Sequence, residues 1–311
     1  MSQAQTNSRV SIEDYFVTHR AAIDRALEQQ LPAPPTCPAL ISEVMRYSLF
    51  AGGKRLRPIL TIASADTISQ SSSVNTDLMA TACAIEMIHT YSLFHDDLPS
   101  MDDDLLRRGQ PTAHVAYGEG MAILAGDALL TEAFGLLSRI AVPGNTDACN
   151  RALRAIRCIA EAAGATGMVG GQVLDLQSTG ISQQRDDRET LRTIHSKKTS
   201  ALIRAATVTG AIVAGAREEA IKAIDTYASH FGLAFQIIDD VLDVEGASDK
   251  LGKTVGKDAT TGKVTYPSLY GIDESKRLAA ESISNARAAL ETFPRNSRLS
   301  EIAEWALKRT T

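Results

Sequence analysis

Apolar and polar residues recur with the roughly 3.6-residue period of an α-helix along most of the chain. No alternating pattern of useful length predicts a β-strand, and no change of composition marks a domain boundary. The pattern therefore predicts an all-α, single-domain bundle of about ten or more helices that spans residues 1–311, with 1–10 disordered. Helices are predicted over 11–30, 39–50, 57–69, 78–97, 116–140, 147–163, 188–214, 218–245, 266–270, 274–292 and 297–309.

Prolines and glycines separate these helices. Four prolines in residues 31–38 predict a linker, and loops are expected over 69–75 and 249–263. Gly246 is a plausible C-terminal stop for the helix before it. The segment 164–177 is rich in glycine, which is a poor helix former.

Composition narrows the classes of function. Aromatic residues make up only 5% of the chain, so the core must be built from Leu, Ile, Val and Ala. The net charge of −5 makes nucleic acid an unfavourable partner, and an anionic substrate would need local cations. The cysteines show no zinc spacing, and nothing indicates an oxidising compartment. The polar N-terminus lacks a signal-peptide core, and no run of about 18 apolar residues predicts a membrane span. A cytoplasmic location is expected.

The segment 91–109, YSLFHDDLPSMDDDLLRRG, concentrates charge at the end of an apolar helix. Pro99 disfavours helix at Leu98, so Asp96 and Asp97 should lie at a helix C-terminus. The helix dipole is negative there and costs roughly 0.3–1 kcal/mol per carboxylate. Asp102, Asp103 and Asp104 add to the repulsion. A solvated acidic loop is the simpler reading, but oxygen ligands without His or Cys favour Mg²⁺.

A second acidic segment, QIIDDVLDVE (236–245), repeats the arrangement. Asp239 and Asp243 are separated by four residues and Asp240 and Asp243 by three, so all three carboxylates can share one helix face. Two such helices facing each other would form a cage of carboxylates. We expect that cage to hold a cluster of Mg²⁺ ions, and the ions to hold a diphosphate.

Six segments in order carry a family resemblance. They are GGKRLRP (52–58), HTYSLFHDDLPSMDDDLLRRG (89–109), GMVGGQVLDL (167–176), KKTSALI (197–203), FQIIDDVLD (235–243) and GKDATTGKVTYPSL (256–269). By these motifs the chain resembles the trans-isoprenyl diphosphate synthases, most closely those of the bacterial farnesyl diphosphate synthase type. The resemblance implies helices around a deep central cavity, usually in a homodimer. It also implies a prenyltransferase that joins isopentenyl diphosphate to dimethylallyl diphosphate and geranyl diphosphate, with about two or three Mg²⁺ ions per site.

The resemblance also assigns roles to residues. The metal ligands it implies are Asp96, Asp97, Asp102, Asp239, Asp240 and Asp243. The homoallylic diphosphate, that of isopentenyl diphosphate, would be bound by Lys54, Arg57, His89 and Arg108. The allylic diphosphate would be bound by Arg107, Lys198, Lys263 and either Lys253 or Lys257. Thr199 and Gln236 would lie near the reacting carbons, and they complete a catalytic set with Lys198, Asp96, Asp97, Asp239 and Asp240.

The residues by themselves allow simpler interpretations. Lys54 and Arg57 could be ordinary charges beside a helix, although Arg binds phosphate in a bidentate manner and Lys acts as a point charge. His89 could be a core histidine, although it lies two helical turns before Asp96 on roughly the same face. Gln172 and Asp175 are expected to face the cavity from a glycine-rich helix whose backbone closely approaches its neighbour.

Tyr91 and Ser92 are candidates for setting product length. Tyr91 precedes Asp96 by five residues, about 7.5 Å along a helix, where an aromatic ring can close the cavity after two or three isoprene units. An aromatic residue at this position, together with the long-spaced DDLPSMD motif, resembles the short-chain bacterial farnesyl enzymes, and this resemblance implies a C15 product. Geranylgeranyl or geranyl diphosphate synthesis, a class I terpene cyclase and a non-catalytic prenyltransferase subunit are the alternatives. GGKRLRP argues against a cyclase, and two intact acidic motifs argue against a non-catalytic subunit.

Overall fold

The structure, a computed structural model, describes residues 10–69, 74–140, 144–178, 187–249, 264–294 and 297–309. Helices dominate this part of the chain. They are α1 (Ile12–Gln30), α2 (Ala39–Leu49), α3 (Leu56–Ser69), α4 (Thr76–Asp96), α5 (Ala113–Tyr117), α6 (Glu119–Ser138), α7 (Thr146–Ala163), α8 (Met168–Ser178), α9 (Asp187–His195), α10 (Ala201–Val213), α11 (Glu218–Asp249), α12 (Tyr266–Tyr270), α13 (Ile272–Ala288) and α14 (Arg298–Lys308). The all-α prediction is confirmed.

Three predicted boundaries were wrong. The helix expected over 116–140 is divided at Gly118, whose φ of 85° ends α5 and begins α6. Helix α11 continues through Gly246 to Asp249, because glycine in a helix costs only about 1 kcal/mol and a packed helix tolerates it. The continuous helix predicted over 188–214 is interrupted by a π-helical turn, Ser196–Ser200, between α9 and α10. A two-residue hairpin, Leu106–Arg107 with Gln110–Pro111, was not predicted.

Helix α4 lies at the centre of the bundle and carries the first acidic motif at its end. Its residues are buried on nearly every side, as expected for a helix that is apolar all round. Helices α3, α6 and α10 pack against it. Tyr227 and Phe231 are fully buried on α11, and the Tyr227 hydroxyl donates to the Leu299 carbonyl at 2.8 Å. The core therefore holds the two helices that carry the acidic motifs.

Helix α6 is long and apolar enough to cross a membrane by length and composition, with a mean hydropathy of 1.5 over its best window. This corrects the expectation that no such run exists. The core helix of a protein with no membrane span can pass the same test. Here α6 packs along α4 and also contacts α2, α5 and α7, which accounts for its apolar character.

Candidate active site

The first acidic motif folds back over the end of its helix. The Asp102 amide donates to the Asp96 carbonyl at 2.9 Å, and the Asp104 amide donates to the Asp97 carbonyl at 3.2 Å. These bonds satisfy carbonyls that the end of a helix otherwise leaves without partners. The loop therefore brings Asp102 and Asp104 back beside the last turn of α4.

Asp97 faces Arg107 across this loop. The Arg107 Nε donates to both carboxylate oxygens of Asp97 at 2.8 and 2.9 Å, and its Nη2 also contacts Asp97. Asp97 is only 5% exposed; burial raises its pKa, and Arg107 opposes that shift. The pair fixes the loop to the helix. The role of Asp97 as a metal ligand stays a prediction, since its carboxylate accepts these bonds.

Asp96 lies beside a second cation, Lys198. The Lys198 Nζ is 2.6 Å from an Asp175 oxygen and 4.0 Å from an Asp102 oxygen. Burial raises the pKa of Asp96 to about 6, with Asp102 adding to the shift and Lys198 opposing it. Carboxylates from α4, its following loop and α8 thus surround one ammonium group. The contact of Asp175 with Lys198 was not predicted, and the expectation that Asp175 faces the cavity stays a prediction.

A close backbone contact positions Lys198. A Cβ atom on Gly171 would lie 2.2 Å from the Lys198 backbone nitrogen, so only glycine allows α8 to approach the π-helical turn this closely. Isolated π-helical turns are frequent at functional sites. The turn also carries Thr199, which is half-buried. Both polar side-chain atoms of the neighbouring Gln172 are buried, and they have no hydrogen-bond partner within the described ranges.

The second acidic motif lies within α11 and not at its end, so the dipole argument made for it was wrong. Asp240 is 6% exposed and accepts from the Tyr266 amide at 3.0 Å and from the Gln236 Nε2 at 3.2 Å. The role of Asp240 as a metal ligand, like that of Asp97, stays a prediction. Asp243 lies one turn further along and is half-buried.

Asp239 meets a cation from the C-terminal helix. The Arg309 Nη2 is 3.3 Å from an Asp239 oxygen, and the guanidinium lies over the rings of Phe235 and Trp305. Burial raises the pKa of Asp239, and Arg309 and Lys54 oppose that shift. The structure therefore brings Lys54 and Arg309 together at the second motif.

A cluster of basic residues lies close to this point. Burial lowers the pKa of His89 to well below its usual value, and the neighbouring charges of Arg57 and Arg108 lower it further. The Arg57 Nε is buried and lacks a hydrogen-bond partner among the described residues. A Cβ atom on Gly53 would lie 2.8 Å from the Arg108 guanidinium, so the Gly52-Gly53 turn directly contacts Arg108. Arg57, His89 and Arg108 thus lie close to one another, and Lys54 lies beside Asp239.

The residues predicted to set product length lie near the C-terminal end of α4. Tyr91 is 7% exposed, and its ring meets that of His95 edge to face at 5.6 Å. The His95 ring occupies the space beside Gly126 on α6, where a Cβ atom would lie 2.5 Å from its Nε2. The Ser92 hydroxyl donates to the His89 carbonyl at 2.9 Å.

Some site residues lie elsewhere or were missed. Lys253, Lys257 and Lys263 lie outside the described residues. Arg55, Glu86, His95 and the contact of Arg309 with Asp239 were not predicted. The isolated Glu in the apolar run of α4 was a signal for Glu86, because a carboxylate is almost never fully buried unless it is paired.

The donor set fits Mg²⁺. The acidic motifs supply oxygen ligands only, and burial with mutual repulsion raises the Asp96 pKa to about 6, as expected of a site that a cation would stabilise. Within the described ranges no group of three or more Asp, Glu, His or Cys residues is placed to hold a metal ion. Mg²⁺ usually binds one or two carboxylates together with substrate phosphates. The cage of facing carboxylates expected from the sequence stays a prediction.

The comparisons with known proteins agree with this geometry. The polyprenyl synthetase family model matches residues 38–296. The chain is 46% identical to a dimethylallyltranstransferase of Fischerella ambigua over 98% of this chain and 86% of that protein. It is 42% identical to a geranylgeranyl diphosphate synthase of Cyanophora paradoxa over 99% of both chains.

A solved structure supports the same conclusion. The crystal structure of an FPP/GFPP synthase from Zymomonas mobilis superposes with a TM-score of 0.82 and 34% identity, over 95% of this chain and 98% of that one. Sequence and fold thus agree along nearly the whole chain. The protein is a member of the polyprenyl synthetase family of prenyltransferases.

Proposed function

We propose that the protein is a Mg²⁺-dependent farnesyl diphosphate synthase. It would join isopentenyl diphosphate first to dimethylallyl diphosphate and then to geranyl diphosphate. The observation that carries the proposal is the presence of two acidic motifs, each beside its own cations. Asp96 lies near Lys198, and Asp239 lies near Lys54 and Arg309. These cations supply the local positive charge that anionic substrates need in a chain of negative net charge.

Different residues would bind the two substrates. Lys198, Arg107 and the predicted Lys257 or Lys253 would bind the allylic diphosphate, with Lys263. Lys54, Arg57, His89 and Arg108 would hold isopentenyl diphosphate, whose double bond attacks the allylic carbon as the C–O bond breaks. Thr199 and Gln236 would face the reacting carbons, and the departing diphosphate would accept the proton.

Mg²⁺ would neutralise the charge that develops on the leaving diphosphate. The aspartates of the two motifs would hold it: Asp96, Asp97, Asp102, Asp239, Asp240 and Asp243. Replacing Asp96 or Asp239 with Ala should abolish most turnover. Near-normal kcat in either variant at saturating Mg²⁺ would contradict this assignment. Metal binding by the two variants can be compared by calorimetry with inorganic diphosphate present.

The C15 product rests on Tyr91, whose buried ring lies near the C-terminal end of α4, five residues before Asp96. A second candidate is geranylgeranyl diphosphate, because relatives over 40% identical bear that name. Analysis of the products formed from labelled isopentenyl diphosphate, dimethylallyl diphosphate and Mg²⁺ separates the two. A dominant C15 product supports the proposal. A C20 product would be consistent with the proposed reaction but would show that Tyr91 does not form the floor of the cavity.

Tyr91→Ala provides the matched test. It should lengthen the product because a smaller side chain opens space beyond the third isoprene unit. Tyr117→Ala serves as the control. Tyr117 lies on α5, and its hydroxyl donates to Glu43 on α2 at 3.0 Å. An unchanged product in Tyr91→Ala would place the floor elsewhere.

We also propose that the protein works as a homodimer. Ile123 and Leu124 on α6 are 41% and 56% exposed, which leaves apolar surface that a second copy could cover. Light scattering should give twice the chain mass, and Leu124→Glu should lower it. A monomeric wild-type protein would contradict the proposal.

A further inference from the structure

The side chain of Arg55 is buried and bound on three sides. It is 3% exposed. Its Nε donates to an Asp24 oxygen on α1 at 2.7 Å, its Nη1 to a Glu86 oxygen on α4 at 2.9 Å, and its Nη2 to the Leu49 carbonyl at the end of α2 at 2.6 Å. One guanidinium therefore ties three helices to the turn that precedes α3.

The backbone of this turn is strained. Arg55 has a φ of 51° and follows Gly52 and Gly53, whose φ values are 100° and 135°. A non-glycine residue in the left-handed region is unfavourable and persists only where its surroundings determine the conformation. The three hydrogen bonds of the Arg55 side chain hold the residue in this conformation. Without them the turn could relax to an extended conformation.

The strained turn sets the positions of the flanking cations. Lys54 and Arg57 lie on either side of Arg55 in the sequence. Glu86, only 2% exposed, lies one helical turn before His89 on α4. Its charge favours the protonated forms of Arg57 and Arg108, whose pKa values are lowered by burial. One buried carboxylate thus lets several like charges approach each other.

We infer that Arg55 and Glu86 are positioning residues for the homoallylic diphosphate pocket: the ion pair holds the strained turn so that Lys54 and Arg57 converge beside His89 and Arg108. This inference rests on the proposed function, because it names the substrate for which these cations are arranged. Neither residue touches that substrate. Each acts through the placement of Lys54 and Arg57.

The test compares Arg55→Gln and Glu86→Gln with the wild-type enzyme. A misplacement of about 1 Å can cost on the order of 100-fold, so we expect the KM for isopentenyl diphosphate to rise about 10- to 100-fold. The KM for the allylic diphosphate and kcat at saturating isopentenyl diphosphate should stay within about threefold, since loss of binding alone raises KM. Arg55→Lys should raise the KM for isopentenyl diphosphate by a smaller factor, because lysine keeps the positive charge but lacks the forked geometry of the guanidinium.

Arg298→Gln is the control for stability. Arg298, the first residue of α14, is also buried and forms an ion pair with Glu301 at 2.7 Å. Its Nη1 donates to the carbonyl of Val10, which precedes α1. It should lower the melting temperature without changing the KM for isopentenyl diphosphate. If the Arg55 and Glu86 variants do not fold, Asp24→Asn removes only the more exposed anchor and should raise that KM about two- to fivefold.

Two outcomes would overturn the inference. One is a folded Arg55 or Glu86 variant with the wild-type KM for isopentenyl diphosphate. The other is an equal change in the KM for both substrates, which indicates a general structural role. Failure of the proposed function is distinguishable, because the wild-type enzyme itself would then form no elongated product.

Discussion

Alanine at position 171 should separate helix α8 from the π-helical turn that carries Lys198 and Thr199. The added Cβ atom would lie 2.2 Å from the Lys198 nitrogen and 2.6 Å from its Cα, whereas ordinary contacts begin at 3.4 Å. The two backbones must therefore move apart by about 1.2 Å, the difference between 3.4 and 2.2 Å. Neither atom belongs to a flexible side chain, so neither can rotate away.

That movement has two measurable effects. The overpacking costs about 1–3 kcal/mol of unfolding free energy, partly offset by the better helix propensity of alanine, about 1 kcal/mol. The larger effect concerns the Lys198 ammonium, which now lies 2.6 Å from Asp175 and close to Asp96. A displacement near 1 Å should lower kcat/KM for the allylic substrate about 10- to 100-fold. Steady-state kinetics and urea unfolding measure the two quantities.

Gly135→Ala is the matched control. It is also a glycine to alanine change within a helix, but a Cβ atom there would contact nothing within 4 Å. It should leave kcat/KM unchanged and raise stability by up to about 1 kcal/mol. A Gly171→Ala enzyme with wild-type kcat/KM would refute the reasoning, since the π-helical turn would then tolerate the displacement without consequence.

Other predictions follow from single contacts. Burial lowers the pKa of His195 to about 4 from its usual 6.5. The unfolded chain therefore binds more protons between these values, and stability present above pH 6.5 is lost towards pH 4 by about 3 kcal/mol at most. The unfolding free energy, measured at several pH values, should fall less steeply between pH 6.5 and pH 4 in His195→Gln than in the wild type. An identical pH dependence in the two proteins would contradict the lowered pKa of His195. Arg309→Gln removes the cation that contacts Asp239, so half-maximal activity should need less Mg²⁺; an unchanged or higher requirement would argue against that competition. Phe231→Ala should cost about 3–5 kcal/mol in urea unfolding, because the ring is fully buried and stacks on Tyr227 at 5.7 Å. A loss below about 1 kcal/mol would show that the surrounding helices close the cavity.

The helical class and most helix positions could be predicted from the local sequence pattern. Periodicity, capping residues and proline act within one or two turns, so they can be read locally. Ser11 caps α1 as its position predicted, and its hydroxyl accepts from the Asp14 amide. The two acidic motifs were equally visible, because carboxylates without counter-ions are unusual within an apolar helix.

The pairing of charged side chains could not be predicted in this way, because it depends on the packing of distant helices. Asp97 pairs with Arg107 and Asp239 with Arg309, although nothing in the local pattern distinguishes these aspartates from their neighbours. Arg55 stands between two residues predicted to bind substrate, yet it turns inward to Glu86. Such pairings depend on how distant helices pack, and packing is a property of the whole bundle. For the same reason Gly246 did not end its helix, because long-range contacts along α11 outweighed a local preference of about 1 kcal/mol.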